Sequence, residues 1–365
     1  MPLNPLLSAD EIAQRVADAG ARLVDPESLD GPAVPAVADV DPDDTAVILY
    51  TSGTTGAPKR IELAHGRLRR NAEYLLLDGL GIGPHDVLFG SAPLAHVFGM
   101  TGCMNGAIAA GACLALVPRF DGVGALDTIE RENVTVFMGV PAMCSALLAA
   151  SDATGRAPPL RLAHVGGAPL PLETAHAFAE RFGAVVLEGY GMTEVGGCVA
   201  LQHAGRPRTP GSVGTPVADT ELRLADDGEL LVRAGGEWLA TGDIGRFDAA
   251  GDLFLVDRKK DVILRGGYTV YPSEVENALC AHPHVREAVV VGVPHAELGE
   301  EVAALVVPAG PACSAEELKA FARERVAAYK YPRLVVLVDE LPHGPTGKVQ
   351  RREIDLAALA RLLSP

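Results

Sequence analysis

Short apolar runs alternate with stretches of helical periodicity through the first half of the chain. Residues 46–49, 134–138 and 184–187 are apolar and rich in β-branched side chains, which is typical of buried strands. Residues 126–132 and 172–182 show the apolar periodicity of helices. Because strands that alternate with helices along a chain usually pair in parallel, this pattern predicts a parallel sheet covered by helices.

The N-terminal residues predict a helix followed by a long polar connection. Residues 9–21 have helical periodicity, and Ser8 and Glu11 have the spacing of a capping box. Residues 22–24 predict a short strand, and residues 26–44, rich in proline and aspartate, predict a loop.

A small antiparallel unit is predicted in the second half of the chain. Residues 221–224 and 228–233 have the pattern of strands, and the Asp-Asp-Gly sequence at 226–228 is a turn signal between them. We therefore expect a small antiparallel β subdomain to follow the parallel sheet.

After residue 260 the pattern becomes that of a compact α+β unit. Helices are predicted at 273–280 and 314–328, the second opened by Ser314 and Glu317 as another capping box. Strands are predicted at 288–291, 303–307 and 334–338. The predicted fold class is α/β, with an N-terminal domain over residues 1–259 and a small α+β C-terminal domain over residues 260–365.

Composition and charge narrow the functional class. The chain has 365 residues, and 31 basic against 47 acidic side chains give a net charge of −16, which argues against nucleic acid as a partner. The six cysteines are scattered without a CxxC pair, as expected for reduced thiols. The sequence has no apolar run long enough for a membrane helix and no basic start typical of a signal peptide. These features predict a cytoplasmic protein that does not bind membranes.

A polar loop directly after the first apolar run carries the clearest chemical signal. Its glycines permit close approach of a ligand, successive backbone amides can form an anion-binding nest, and its hydroxyls and lysine add donors and positive charge. The spacing differs from that of a Walker A loop, and a simple polar turn is the alternative interpretation. The predicted phosphate-binding residues are Thr51, Ser52, Gly53, Thr54, Thr55, Gly56 and Lys59.

This loop resembles the phosphate-binding signature of the adenylate-forming superfamily, which includes acyl-CoA synthetases, luciferases and the adenylation domains of peptide synthetases. Further segments resemble that family in its own order, up to about Arg352. They are an acyl-site segment at 92–100, an adenine and magnesium segment at 189–194, a ribose-binding turn at 241–243, an interdomain hinge at 257–261 and a catalytic-lysine loop at 342–348.

The resemblance implies ATP and Mg²⁺ as ligands and assigns the residues that hold them. Thr193 and Glu194 are implied in catalysis, with Glu194 as the magnesium ligand, because Mg²⁺ prefers hard oxygen ligands. Besides the phosphate loop, the implied nucleotide-binding residues are Gly167, Glu188, Gly189, Tyr190, Gly191, Asp243 and Arg258. An Asx turn at Asp243 and a surface ion pair at Arg258 are the structural alternatives.

The resemblance also implies a mobile C-terminal domain that serves two half-reactions. Lys348 is implied as the catalytic lysine, whose ammonium bridges the reacting carboxylate and the α-phosphate. Lys260 matches the hinge about which the small domain swings. Gly266 and Gly267 match the segment that lines the thiol tunnel for CoA. A Gly-Gly hairpin turn is the structural alternative, and the two interpretations are compatible.

The acyl and thiol tunnel is implied to include His96, Val97, Phe98 and Met100. A core histidine and simple core packing are the structural alternatives for these residues. Because the segment is apolar and offers no arginine to pair with a distal carboxylate, we expect an acid with an apolar aliphatic or aryl tail.

The chain departs from the family pattern near its N-terminus, where only 49 residues precede Tyr50. We expect a shortened large domain whose uncovered apolar face pairs with a second copy through the helix at 8–21, giving a homodimer. A repacked monomer is the alternative. A second departure is the short connection at 234–237, and a third is Arg60, where the family commonly has glycine.

Three functions fit these motifs. The first is an AMP-forming ligase that joins a small-molecule carboxylic acid to CoA through an acyl-adenylate. The second is a ligase that passes the acyl group from the same adenylate to a carrier protein or to an amine. The third is a catalytically weak relative that serves as a scaffold. The presence of Lys59, Glu194, Asp243 and Lys348 favours an active enzyme over the third.

Overall fold

A computed structural model describes residues 1–4, 7–24, 39–51, 59–217, 219–310, 314–343 and 349–363. The α-helices are α1 (Ala9–Asp18), α2 (His65–Glu73), α3 (Gly106–Ala110), α4 (Gly122–Arg131), α5 (Pro141–Thr154), α6 (Leu172–Phe182), α7 (Pro272–Cys280), α8 (Ala315–Arg323) and α9 (Leu356–Leu363). Two π-helical stretches cover Tyr74–Gly79 and Phe98–Asn105, and 3-10 turns cover Thr193–Val195, Lys259–Asp261 and Arg351–Glu353.

Four sheets are built from the described strands. In chain order the strands are β1 (Thr45–Thr51), β2 (Lys59–Ala64), β3 (Val87–Gly90), β4 (Cys113–Leu116), β5 (Val136–Gly139), β6 (Leu162–Gly166), β7 (Val185–Met192), β8 (Gly197–Leu201), β9 (Thr215–Pro216), β10 (Glu221–Leu224), β11 (Glu229–Arg233), β12 (Leu239–Phe247), β13 (Leu253–Arg258), β14 (Ile263–Arg265), β15 (Tyr268–Val270), β16 (Val285–His295), β17 (Gly299–Pro308) and β18 (Leu334–Leu337).

The large sheet has the strand order β4-β3-β5-β6-β7-β8-β9. The first five strands pair in parallel, and β8 pairs antiparallel with both β7 and β9. Separate apolar clusters pack on it, one containing Leu88, Met138 and Leu187 and another containing Phe89 and Phe137. Strand β6 is buried throughout, which explains its mostly apolar sequence. The predicted parallel sheet covered by helices is confirmed.

The small antiparallel sheet has the order β10-β11-β12-β13. Strands β10 and β11 pair antiparallel from Glu221 opposite Arg233 to Leu224 opposite Leu230, as the pattern predicted. Gly228 occupies the turn with a φ of 82°, a conformation that favours glycine. This sheet ends at Arg258, next to the Lys259–Asp261 turn.

The C-terminal sheet has the order β15-β14-β17-β16, with β18 pairing parallel to β17. Helices α7 and α8 contribute to one apolar cluster on this sheet, through side chains such as Val275 and Leu318. Helix α9 contributes Leu359 to a second cluster. The α+β character is therefore observed, while the division at residue 259 and the mobility of this unit stay predictions.

Three predicted elements differ from the structure. Residues 22–24 form no strand, and Leu23 and Val24 stay exposed, so burial of their apolar side chains does not stabilise a strand here. Helix α1 ends at Asp18 rather than at residue 21. Helix α8 ends at Arg323 rather than at residue 328, because the backbone tightens there and Arg325 N donates to the Ala322 carbonyl.

The capping predictions have different outcomes. Ser8 and Glu11 form both bonds of a capping box at α1. At α8 the Ser314 hydroxyl accepts from Glu317 N, but the Glu317 carboxylate lies 3.4 Å from His282 Nε2. Part of the predicted loop at 26–44 lies outside the described residues. Among the described helices, none combines the length and apolar composition needed to cross a bilayer.

Candidate active site

The ends of the predicted phosphate loop are held together by an antiparallel strand pair. Thr51, at the end of β1, lies opposite Lys59, at the start of β2. Strand β2 also packs against the Thr193–Val195 turn, so Lys59 and Glu194 lie on neighbouring elements. The loop residues Ser52, Gly53, Thr54, Thr55 and Gly56 lie outside the described residues.

The adenine and magnesium segment lies at the carboxyl end of a central strand of the large sheet. Glu188, Gly189, Tyr190 and Gly191 are on β7, and Thr193 and Glu194 are half-buried in the 3-10 turn that follows. The adjacent strand β6 ends at Gly166, opposite Gly189, and Gly167 follows with a φ of 83°. The carboxyl ends of parallel strands are where α/β sheets commonly bind ligands.

Tyr190, Asp243 and Arg258 form one hydrogen-bonded cluster. The Tyr190 hydroxyl donates to Asp243 Oδ2 at 2.5 Å, and Arg258 Nε donates to Asp243 Oδ1 at 3.1 Å. Strand pairing places Asp243 on β12 opposite Arg258 on β13. Burial and the neighbouring Asp243 carboxylate raise the pKa of Tyr190. Each Asp243 oxygen keeps a second lone pair with which it can accept from a ligand hydroxyl.

Glu188 is a buried carboxyl group next to this cluster in sequence. Burial raises the pKa of Glu188 from 4.5 to about 7. The side chain is therefore substantially protonated near neutral pH and can then donate a hydrogen bond. Sequence reasoning assigned Glu188 to the nucleotide site but had no means to predict this protonation.

Side chains of the acyl-site segment at 92–100 make two kinds of contact, apolar core packing and a hydrogen bond to a histidine ring. Val97 and Met100 are buried in a cluster with Leu49, Ile61 and Leu63, so they connect this segment to β1 and β2. Their place in an acyl tunnel stays a prediction. His96 Nδ1 accepts from Phe98 N at 3.2 Å, which fixes the ring of His96 against its own turn.

His164 on β6 was missed by the sequence analysis. Its ring lies 5.9 Å from the Phe98 ring, and a Cβ on Gly189 would meet His164 Cε1 at 2.6 Å. Burial lowers the pKa of His164 to about 4, and Nδ1 has no hydrogen-bond partner among the described residues. A histidine inside an otherwise apolar strand run was the signal that could have identified it.

The residues assigned to the second half-reaction lie around the C-terminal sheet. Gly266 and Gly267 form the turn of the β14–β15 hairpin, with φ values of 55° and 82°. Tyr268 beside them is 58% exposed and stacks on Tyr329. Lys260 is exposed in the Lys259–Asp261 turn. Lys348 lies outside the described residues.

Residues 25–244 match the family described as AMP-binding enzyme, and residues 274–348 match the AMP-binding enzyme C-terminal domain. The chain belongs to the AMP-binding enzyme family. The family resemblance inferred from the motifs is therefore confirmed.

The chain spans about three fifths to four fifths of the length of two curated relatives. It is 35% identical to a long-chain-fatty-acid–CoA ligase of Bacillus subtilis over 349 residues, covering 86% of this chain and 62% of the ligase. It is 33% identical to a feruloyl-CoA synthase of an Amycolatopsis species over 411 residues, covering 97% of this chain and 82% of the synthase.

Solved structures share the fold of this AMP-binding enzyme. ATP-bound MatB from Rhodopseudomonas palustris superposes with a TM-score of 0.85 at 31% identity, covering 97% of this chain and 78% of MatB. The anthranilate CoA ligase AuaEII in complex with anthranoyl-AMP gives a TM-score of 0.87 at 28% identity, covering 99% of this chain and 82% of AuaEII.

Proposed function

We propose that the protein is an acid–thiol ligase that activates a carboxylic acid with ATP and transfers the acyl group to CoA. The observation that carries the proposal is the Tyr190, Asp243 and Arg258 cluster in a chain of the AMP-binding enzyme family. Tyr190 lies on β7, directly before the Thr193–Val195 turn, and Asp243 and Arg258 lie on β12 and β13. The names of the relatives as CoA ligases and synthases support the same reaction class.

In the first half-reaction a carboxylate oxygen of the acid attacks the α-phosphorus of ATP. The bond to the bridging oxygen breaks, and acyl-adenylate and pyrophosphate form. Asp243 accepts from the ribose hydroxyls, Tyr190 lies against the adenine, and Lys59 and Lys348 neutralise phosphate charge. Positioning and charge neutralisation supply most of the rate enhancement in such a step.

Glu194 suits a magnesium site shared with the nucleotide. The described residues contain no group of three metal-ligating side chains. A single carboxylate is sufficient for Mg²⁺ when phosphate oxygens and waters complete the shell. Bound Mg²⁺ would neutralise the charge that develops on the leaving pyrophosphate.

In the second half-reaction the CoA thiolate attacks the adenylate carbonyl, and AMP leaves as the thioester forms. Both residues of the Gly266–Gly267 turn lack a Cβ atom, which permits close approach of the narrow pantetheine chain of CoA. We propose that the small domain swings about Lys260 between the two steps, since Lys348 and this hairpin serve different half-reactions.

We propose an acid with an apolar aliphatic or aryl tail, with Phe98 near its binding site. No arginine lies in the segment at 92–100, so a second carboxylate would be left unpaired there. A cytoplasmic location, a carrier-protein acceptor and a homodimer stay predictions of the sequence. Light scattering on the 38.0 kDa chain tests the last of these.

Pyrophosphate release tests the proposed function directly. The purified chain is given ATP and Mg²⁺ with acetate, octanoate, benzoate, ferulate or malonate, with and without CoA. We expect octanoate or an aryl acid to release pyrophosphate and, with CoA, to give a thioester. Release without a thioester would favour a carrier protein or an amine as acceptor, and no release with any acid would favour the scaffold function. Turnover of malonate and of none of the other acids would contradict the proposal that the substrate has an apolar tail.

A further inference from the structure

The chain on both sides of residues 344–348 is held by backbone contacts. His343 and Val349 face each other in an antiparallel bridge. Gln350 N donates to the Pro342 carbonyl at 2.7 Å. Val349 is covalently bonded to Lys348, so the contacts of Val349 and Gln350 fix the chain that directly follows this lysine in sequence.

Arg351 connects this segment to two other elements of the C-terminal unit. Its Nη2 donates to Glu276 Oε1 on α7 at 2.5 Å, and its Nη1 lies 3.7 Å from Asp261 Oδ2. Asp261 is the last residue of the turn that contains Lys260. Glu276 Oε1 also accepts from Val290 N at 2.7 Å, which joins the contact to β16.

The contact lies in a desolvated environment, where geometry is held more tightly than at a surface. The side chains of Arg351, Glu276 and Asp261 are 28%, 18% and 16% exposed. Burial raises the pKa of Glu276, and Arg351 opposes that rise. Removing Arg351 leaves the half-buried Glu276 carboxylate without its charged partner, which is unfavourable.

Arg352, the next residue, carries the same positive charge as Arg351 but makes different contacts. Its side chain is exposed, and its Nε and Nη2 donate to the amide oxygen of Gln350, two residues earlier. The two consecutive arginines therefore differ in burial and in contacts, since the half-buried Arg351 reaches α7 and the hinge turn and the exposed Arg352 donates to Gln350.

We propose that Arg351 is a positioning residue for Lys348 and joins the segment after that lysine to the hinge turn and to α7. The inference rests on the proposed function, because it uses the role of Lys348 in adenylation. Arg351 itself does not touch the reacting atoms. Displacing a catalytic group by about 1 Å can lower a rate by about 100-fold, so a small movement of the segment that follows Lys348 would be sufficient for a large effect.

The test compares Arg351→Met with Arg352→Met in both half-reactions. Acid-dependent ATP–pyrophosphate exchange with octanoate or ferulate measures adenylation, and the synthetic adenylate of the same acid with CoA measures thioester formation. We expect Arg351→Met to lose about 100-fold in exchange and less than about threefold in thioester formation. Arg352→Met should stay within about twofold of the unsubstituted protein in both, as is usual for surface substitutions.

A double-substitution cycle separates positioning from a general structural role. In a Lys348→Ala background, Arg351→Met should cause no further loss of exchange, because the group that it positions is absent. An additive loss in that background overturns the proposal. Equal losses in both half-reactions, or unchanged exchange in Arg351→Met, overturn it as well.

Hydrogen exchange gives a readout that does not depend on activity. Arg351→Met should accelerate amide exchange in a peptide covering residues 349–355, and Arg352→Met should not. If the unsubstituted protein shows no exchange of pyrophosphate with any acid, the proposed function fails, and this measurement still decides whether Arg351 holds the segment. Unchanged amide exchange in Arg351→Met overturns the inference.

A second variant covers the case in which Arg351→Met does not fold. Glu276→Gln combined with Arg351→Met removes both charges and keeps an amide oxygen that can accept from Val290 N. This double variant enters the same comparisons and is expected to show the same loss in adenylation alone.

Discussion

Tyr190 reaches Asp243 from a strand that lies 53 residues earlier in the chain, with a hydroxyl to carboxylate distance of 2.5 Å. Tyr190→Phe removes this donor and keeps the ring. A hydrogen bond to a charged acceptor contributes about 1.5–3 kcal/mol, so we expect the KM for ATP to rise by about tenfold or more. The measurement is ATP-dependent pyrophosphate exchange at saturating acid.

Tyr268→Phe is the matched control, because Tyr268 is exposed on β15 and belongs to the predicted thiol segment. It should leave the KM for ATP unchanged. An unchanged KM in Tyr190→Phe would show that the cluster around Asp243 does not contribute to nucleotide binding.

The raised pKa of Glu188 predicts that the free energy of unfolding depends on pH. Its pKa rises from 4.5 to about 7 on folding, so the folded state binds the proton more tightly. The resulting stabilisation is fully present below pH 4.5 and is lost as pH rises through about 7. Glu188→Gln removes the ionisable group and should increase the free energy of unfolding at pH 8 by up to about 3 kcal/mol, with little change at pH 4.5.

Urea denaturation between pH 4.5 and pH 8 measures this difference. Glu180→Gln, on an exposed position of α6, is the control and should track the unsubstituted protein at every pH. A constant offset between Glu188→Gln and the unsubstituted protein across this range would mean that Glu188 is not desolvated in solution.

At the level of elements, the close approach of β8 and the chain before β9 depends on Gly214. Its φ is 82°, and a Cβ there would lie 2.0 Å from the Leu201 carbonyl carbon. Gly251, in the turn between β12 and β13, has a φ of 87° but open space around it. Both glycines therefore have a backbone conformation that is strained for other residues, but only Gly251 has space for a Cβ atom.

We expect Gly251→Ala to cost about 1–2 kcal/mol of stability from its backbone conformation. Gly214→Ala should cost about 2 kcal/mol or more beyond that, because the β8 backbone must move. Chemical denaturation of both variants measures the difference. Equal losses would mean that the β8 and β9 region adjusts freely.

Two elements show how tertiary contacts set boundaries that periodicity cannot. Residues 22–24 have strand-like composition, but they pair with no strand among the described residues and Leu23 stays exposed. The periodicity of α8 continues beyond Arg323, yet the helix ends there with a tightened turn. Local propensity is weak where burial does not support it.

At the scale of the whole molecule, Asp257 makes a contact across the predicted domain boundary. On β13, its Oδ2 accepts from Ser273 N at the start of α7 at 2.7 Å, and its Oδ1 accepts from Arg258 N. A negative charge is favourable at a helix N-terminus. If the small domain swings about Lys260, this bond must break between the half-reactions.

We expect Asp257→Asn to change the ratio of adenylation to thioester formation by about tenfold, since it weakens by roughly 1–2 kcal/mol a contact that only one of the two orientations can keep. Asp355→Asn is the matched control, because Asp355 Oδ1 accepts from Ala358 N within the first turn of α9. It should affect both half-reactions equally. The same ratio of half-reactions in Asp257→Asn and Asp355→Asn would argue against a domain swing that breaks this contact.

The family and the α/β architecture could be read from the sequence, because both depend on local patterns. Alternation of apolar runs with helical periodicity predicts a parallel sheet, and the glycine, hydroxyl and lysine loop ending at Lys59, together with the later segments in the family's order, predicts the family. The family motifs predicted nucleotide-binding roles for Tyr190, Asp243 and Arg258, and the structure brings these three side chains together.

Only the tertiary structure decided what surrounds each of these side chains. Val97 and Met100 lie in an apolar segment, but their burial beside β1 appears in no sequence pattern. The pKa values of Glu188 and His164 depend on desolvation by strands distant in sequence. The link from Arg351 to Glu276 joins residues 75 positions apart. Burial and long-range charge pairing arise from packing, and a linear chain does not specify them residue by residue.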